Sequence, residues 1–359
     1  MILTIIAAVL VFGIIIAVHE AGHLIAAKSV GVKVHEFAIG MGPKLFSFTK
    51  GGTAYSLRLL PIGGFCSMEG EDENSDNPDA LCNKSVWARL LVMVSGALMN
   101  VILGLVIYIV IISAVPGDIG FNVIGEVIDN SPAMEAGLQP GDKIVRVNGK
   151  RVHLASEVRF ELFKTEGQEA ELVLNRNGEK ITKRITPMLQ EGKSVDANGN
   201  EITVNQYFFG YRAREDQKTV WNVLKYAYYQ SWFTIDVVIY SLGQLIQGKV
   251  GLNEMSGPVG IVNQIGQSAR AGFLDLLSFM ALITINLGVF NLLPIPALDG
   301  GRILFLIIEI IRRKPLNPER EGMVHFIGLV LLMILMIVVT WSDIIKLDVW
   351  DKLRGLFGG

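Results

Sequence analysis

AVHEAGHLIAA, Ala17 to Ala27, puts two histidines four positions apart with a glutamate beside the first. On a helix, positions i and i+4 share a face, about 5–6 Å apart, so His19 and His23 can grip one metal ion. Neutral imidazole suits zinc, and a catalytic zinc takes three protein ligands plus a water. Glu20 is placed to act on that water as a general base. Yet the residues before the motif, Ile2 to Val18, carry no charged side chain. The plain alternative is a helix that happens to hold a few satisfied polar groups. Against it, a charged group inside a membrane span costs about 2.5–3.5 kcal/mol on insertion scales. Three ionisable groups within five residues need a shared partner, and a metal is the economical one.

Working outward, the whole chain shares this apolar character. Of its 359 residues, 51% are hydrophobic and only 18% charged, with a mean hydropathy of +0.44. Four stretches approach the roughly 20 apolar residues that a span requires: Ile2 to Ala27, Leu90 to Val115, Leu276 to Leu298 and Met323 to Trp341. His325 is the polar exception in the fourth. No basic residue precedes the first run, as a cleavable signal would want, so it reads as an uncleaved span. Lys28, Lys33, Lys44, Lys84 and Arg89 follow span one, and Arg302, Arg312, Arg313, Lys314 and Arg320 follow span three. By the positive-inside rule both loops are cytoplasmic, so the N-terminus, the long middle region and the C-terminus face outward. Lys346, Lys352 and Arg354 weigh mildly against that orientation. The net charge of -2 says nothing about nucleic acid, and no basic cluster suggests such a partner, so none is expected. Cys66 and Cys82 form neither a disulfide framework nor a CxxC pair, and read as two reduced thiols.

The middle region reads as a soluble insertion. GFNVIGEVIDNSPAMEAGLQPGDKIVRVNGKRV alternates apolar and polar residues at strand period between turn signals. Ser131 is a helix cap, Pro132 the first helical residue and Gly137 the stop. Asn148-Gly149 and Asn177-Gly178 sit at hairpin tips, with a helix over about 156–164 between them. This order resembles a circularly permuted bacterial PDZ domain, over about Gly120 to Leu189. Such a domain can add a peptide as a strand to its sheet edge; the alternative is a module that only blocks access.

Two histidines leave a third ligand to find, and a carboxylate inside another apolar segment is the natural source. NLLPIPALDGGRILF offers Asp299. His19 lies seventeen residues beyond Ile2, or roughly 25 Å along a helix in a hydrocarbon core of about 30 Å. Asp299 ends span three, where Pro294 and Pro296 prevent regular helix and shorten the path. Both motifs therefore reach similar depth near the cytoplasmic side. Irregular backbone at that depth is tolerated only where it is buried in protein or lines a cavity. A water-filled pocket open to the cytoplasm is the expectation.

HEAGH in the first span, the PDZ-like insertion and NLLPIPALDGG in a late span together resemble the site-2 protease family of intramembrane zinc metalloproteases, in its bacterial RseP/RasP-type branch with a single PDZ domain. The resemblance covers nearly the whole chain. It implies Zn2+ held by His19, His23 and Asp299, with Glu20 activating the water. It implies cleavage within the transmembrane segments of single-span proteins, notably anti-sigma factors already trimmed by another protease and remnant signal peptides. Asn291, in the motif N-x-x-P-x-P-x-L-D-G, and Asn100, ending GALMN, are implied to hold substrate or support the transition state. Interhelical packing is the alternative for Asn100.

The expected fold class is a mainly α-helical polytopic membrane protein of about four transmembrane helices, with a membrane-associated β-hairpin region and one inserted extracytoplasmic PDZ domain (β-rich, α+β). Its expected parts are an N-terminal membrane part over 1–115, the PDZ domain over 116–190, a linker over 191–275 and a C-terminal membrane part over 276–359. The hairpin is read from EFAIGMGPKLFSF and TAYSLRLLPIGGFCSM, joined at Lys50-Gly51-Gly52; an exposed edge there could pair with an unwound substrate. The acidic run at 69–79 reads as a solvated loop. Lys225 and Asp236 make the aromatic-rich stretch at 219–250 an amphipathic helix rather than a fifth span, and SGPVG reads as a gate. Two rival functions remain: a catalytically inactive PDZ-containing scaffold, and a zinc transporter, which would want polar residues along several spans.

Overall fold

The computed structural model describes residues 2–71, 73–195, 201–251, 255–314, 316 and 318–346. It divides into two compact units, 1–111 with 234–359, and 112–233. Helix α1 (Ile2–Ser29) opens the first unit, followed by strands β1 (Val34–Lys50) and β2 (Thr53–Met68) and by helix α2 (Val86–Ala114). This unit resumes within α5 (Val220–Ile246) and continues through α6 (Pro258–Ala271), α7 (Phe273–Leu292), α8 (Asp299–Arg312) and α9 (Pro318–Lys346). Among the described residues, four helices are long and apolar enough to cross a membrane: α1, α2, α7 and 320–346 of α9. The aromatic-rich α5 is not one of them. The C-terminal helix expected after α9 falls on 347–359, outside the described residues.

Small residues bring these helices close, as helix packing in lipid requires. A Cβ on Gly22 of α1 would stand 2.4 Å from the Ser95 carbonyl oxygen of α2, and one on Gly288 of α7 2.9 Å from the Ala97 oxygen. Ala7, Ala8, Val11 and Ile15 of α1 pack with Ile107, Ile265, Met280 and Ala281. Asp343 of α9 is buried and accepts from the backbone N–H groups of Gly257 and Gly260, at 3.1 and 2.7 Å. A carboxylate borrowed from another helix thus caps α6, whose Pro258 sits in the first turn.

Strands β1 and β2 meet at the Gly51-Gly52 turn. Lys44 to Lys50 register with Arg58 to Thr53, while Val34 to Ile39 register with Met68 to Gly64 and, on the other side, with the 54–57 stretch. Burial pushes the Glu36 carboxyl up, but hydrogen bonds from Ser56, Arg58 and Lys44 outweigh it and hold its pKa at about 2. The distal half shows Met41, Leu45, Phe46 and Phe48 to the outside.

The second unit is β-rich. Strands β3 (Ile119–Val127), β4 (Lys143–Val147), β6 (Ala170–Arg176), β7 (Glu179–Ile185) and β10 (Tyr211–Asp216) form a sheet ordered β10-β3-β4-β6-β7, with β5 (Lys150–Arg151) on β4. A second pair is β8 (Met188–Val195) with β9 (Glu201–Phe208). Both two-residue hairpin tips carry positive φ at Asn and Gly, Asn148 and Gly149 in one and Asn177 and Gly178 in the other, as type I′ turns demand. Helix α3 (Pro132–Glu135) is capped by Ser131, whose Oγ accepts from Met134 N. Helix α4 (Ala155–Phe163) buries Val158 and Leu162 against Ile144, Val147, Leu172 and Leu174 of the sheet. The strand β10 lies beyond residue 190, where the sequence reading ends this part. Its pairing with β3 is a long-range contact that local alternation does not announce.

Candidate metal centre

His19 and His23 lie one turn apart on α1, both buried. Their rings stand edge to face with centroids 4.9 Å apart. His23 Nδ1 meets the Val92 carbonyl oxygen of α2 at 2.9 Å. A carbonyl only accepts, so this bond puts the proton on Nδ1 and leaves a lone pair on Nε2. His19 Nδ1 meets the side-chain amide of Asn100 at 3.2 Å. Asn100 is fully buried and its Oδ1 has no hydrogen-bond partner. Turning that amide by 180° would set Oδ1 against a His19 Nδ1–H, the tautomer that frees Nε2. His19 Nε2 then also presents a lone pair.

The two Nε2 atoms face each other at 3.3 Å, and Asp299 Oδ2 stands 3.3 Å from one and 3.4 Å from the other. Asp299 Oδ2 is itself buried without a hydrogen-bond partner. Three acceptors aimed at one point repel one another unless a cation lies between them. Ligands held tetrahedrally at about 2.0–2.1 Å from zinc stand roughly 3.3–3.4 Å apart. The set therefore fits that ion in chemistry and in spacing. It is the group of metal-ligating side chains that converges among the described residues.

The loop before α8 explains how an aspartate far along the chain arrives here. Pro294 and Pro296 end the helical ladder after Leu292, and Ala297 adopts φ of 75°, a strained value for a residue with a Cβ. His325 of α9 holds that residue, its Nδ1 accepting from Ala297 N at 2.9 Å. Gly300 and Gly301 let the loop fold over the start of α8: Cβ atoms there would stand 1.9 Å from the Leu293 oxygen and 2.7 Å from the Ile295 oxygen. Gly96 plays a matching part in α2, since its Cβ would lie 2.3 Å from His23 Nε2.

A cavity of about 940 Å³ opens over these groups. His19, Glu20, His23 and Asp299 line it, with Ala297 and Leu298 of the irregular loop. Two ion pairs border it, Arg302 with Glu71 and Arg89 with Glu309. Asn100 and Asn291 do not belong to the lining. Asn100 faces His19 instead, and Asn291 is buried in the last turn of α7. Sequence reasoning passed over His325 and the Arg302–Glu71 pair. The histidine's signal was its isolation in an apolar span; the ion pair joins residues 231 positions apart and left none.

Residues 7–335 match Peptidase family M50, and the chain belongs to that family, the site-2 proteases; it is a zinc metalloprotease and a multi-pass membrane protein. It is 36% identical to the zinc metalloprotease RasP of Bacillus licheniformis, across 96% of this chain and 99% of the relative. It is 33% identical to the regulator of sigma-W protease RasP of Bacillus subtilis, with the same shares covered. Identity to the RasP of Geobacillus kaustophilus is also 33%, over 96% of this chain and 98% of the relative.

Proposed function

We propose that the chain cuts peptide bonds within the transmembrane segments of single-span membrane proteins, with His19, His23 and Asp299 holding zinc and Glu20 as general base. The observation that carries this reading is the convergence of His19 Nε2, His23 Nε2 and Asp299 Oδ2, at 3.3–3.4 Å, on the wall of a cavity that Glu20 shares. Zinc, when bound, supplies a Lewis acid for the scissile carbonyl and lowers the pKa of its water to about 7. Glu20 takes the proton from the attacking water and returns it to the leaving amide nitrogen. Asn100 sets the His19 tautomer, and its backbone carbonyl accepts from Thr284 Oγ1 at 3.1 Å, which ties that role to α7. Asn291, three residues before Pro294, steadies substrate or transition state from the end of α7.

Substrates of this reading are anti-sigma factors already trimmed by another protease, and remnant signal peptides. The name of the B. subtilis relative, regulator of sigma-W protease, supports the first. A helical substrate must unwind before its peptide bonds are open to attack; the β1–β2 hairpin offers an edge for the extended segment. The β-rich unit reads as a single PDZ domain on the extracytoplasmic side, and β10 at the end of its sheet supports strand addition as its binding mode. The basic loops after α1 and α7 support a catalytic site near the cytoplasmic face of a bacterial cell membrane.

Purified full chain, reconstituted with a single-span test substrate, decides between this reading and an inactive scaffold. Glu20→Gln is expected to keep about one zinc per chain and lose cleavage. Equal cleavage by Glu20→Gln and wild type, or none by either at full zinc loading, would overturn it.

A further inference from the structure

A second cavity, of about 460 Å³, lies wholly within the β-rich unit. Four cations line it: Lys143 of β4, Arg151 of β5, Arg214 of β10 and Lys225 of α5. The single carboxylate in the lining, Asp216, pairs with Arg214 at 2.8 Å. Lys143 and Arg151 have no carboxylate partner among the described residues. Lys225 lies over the Phe121 ring, 5.0 Å from its centroid. This is a local excess of positive charge in a chain whose net charge is -2. Its floor is firmly built. Buried Asn122 donates to the Ile144 and Val152 carbonyl oxygens, at 2.6 and 2.8 Å, and His153 stacks on Tyr229 at 4.0 Å. Burial first, then the charges of Arg151, Lys143 and Lys225, hold the His153 imidazole below its ordinary range. The excess of positive charge sits on the rim; His153 Nδ1 itself stands 3.4 Å from Glu157 Oε2.

The helix that supplies Lys225 and Tyr229 also carries an exposed, mainly aromatic stripe. Trp221, Leu224, Tyr228 and Trp232 recur at helical spacing and are 71%, 42%, 51% and 53% exposed. Exposed tryptophan and tyrosine at this density mark the headgroup level of a membrane. Lys225 follows Leu224 and Tyr229 follows Tyr228, so the cationic wall borders the stripe along α5.

We infer that this cavity binds the headgroup of an anionic phospholipid, with the phosphate among Lys143, Arg151 and Lys225 and the acyl chains along Trp221, Tyr228 and Trp232. Charge complementarity selects the anion, and the neighbouring stripe selects a lipid over a free phosphate. A peptide carboxylate would want one cation or a nest of N–H groups beside an apolar pocket, not several cations together. The site stands apart from the proteolytic centre and does not rest on the substrate assignment.

The test uses the purified full chain, delipidated in a neutral detergent and titrated with phosphatidylglycerol or phosphatidylcholine, with bound lipid counted by native mass spectrometry. Wild type is expected to retain phosphatidylglycerol selectively, with retention falling as salt rises. Lys143→Gln with Arg151→Gln is expected to weaken that retention roughly 25-fold, about fivefold per charge removed at an anionic surface. Arg184→Gln, which removes an exposed charge outside the cavity lining, at the end of β7 away from Asn175, is expected to change nothing. In wild type, the His153 imidazole, followed by NMR, should titrate at higher pH once phosphatidylglycerol is bound. Equal retention of both lipids by wild type would overturn the inference, as would equal losses in the double variant and Arg184→Gln. Displacement of the lipid by inorganic phosphate at matching concentration would reduce the site to a phosphate site and overturn it too. Displacement by a peptide with a free C-terminus, but not by its amide, would make it a peptide site with the same consequence.

Discussion

At the residue scale, the metal centre depends on space as much as on ligands. Gly96 has no catalytic chemistry, yet a methyl group there would stand 2.3 Å from His23 Nε2. Gly96→Ala is expected to cost the protein its zinc, measured as metal per chain after purification. Gly13→Ala, on the same helix as the histidines and with nothing within 4 Å of its Cβ, is expected to keep zinc and cleavage. His325 acts at one remove, through the strained Ala297 two residues before Asp299. His325→Ala leaves that N–H without its acceptor and loosens the loop that aims the carboxylate. About tenfold weaker zinc binding, read by chelator competition, is the expected result. Unchanged affinity would mean that Pro294, Pro296 and the glycines shape the loop alone.

At the element scale, the β-rich unit has its own keystone. Asp142, with a side chain 1% exposed, takes Arg176 Nε and Nη2 at 2.7 and 2.8 Å and also accepts from Gln139 N. Burial pushes its carboxyl up, but the Arg176 guanidinium and the Gln139 N–H outweigh it and hold it below the usual carboxylate range. A depressed pKa means that this stabilisation is fully present above the ordinary value of about 3.9. It is lost as pH falls through the lower folded value. Asp142→Asn removes the charge partner of the part-exposed Arg176, which keeps only the Gly137 carbonyl oxygen, and is expected to destabilise the unit. Hydrogen exchange of β4 and β6 amides in the full chain measures it. The variant should also lose part of the wild type's stability gain on going from acid to neutral pH.

At the scale of the whole molecule, four apolar helices and two basic loops predict which segments share a side of the membrane. Single cysteines placed at Asn148 and at Asn74 are expected to react with a membrane-impermeant maleimide from opposite faces, the first in intact cells and the second only after permeabilisation. Of the native thiols, the part-exposed Cys82 is first replaced by serine, and Cys66 gives little background. Cys66 is buried, and burial, then the charges of Glu20 and Glu71, push its pKa up to about 12. Labelling of both positions in intact cells would contradict the assigned orientation.

The shared face of His19 and His23, the four apolar helices and the hairpin tips were open to reading in the chain because each is a local pattern. His19 and His23 share a face by helical period alone, Asn148-Gly149 and Asn177-Gly178 demand left-handed backbone, and runs of some twenty apolar residues have no soluble alternative. Even Asp299 could be paired with the histidines, since depth in a bilayer is countable along the sequence. Tertiary structure alone decided the rest. That Val92 and Asn100 orient the two rings, that His325 steadies Ala297, that Gly96 keeps the centre open and that β10 crosses back to β3 are contacts between distant segments. Each depends on how closely helices and strands approach in space, and no periodicity in a chain encodes a distance between parts that are not neighbours along it.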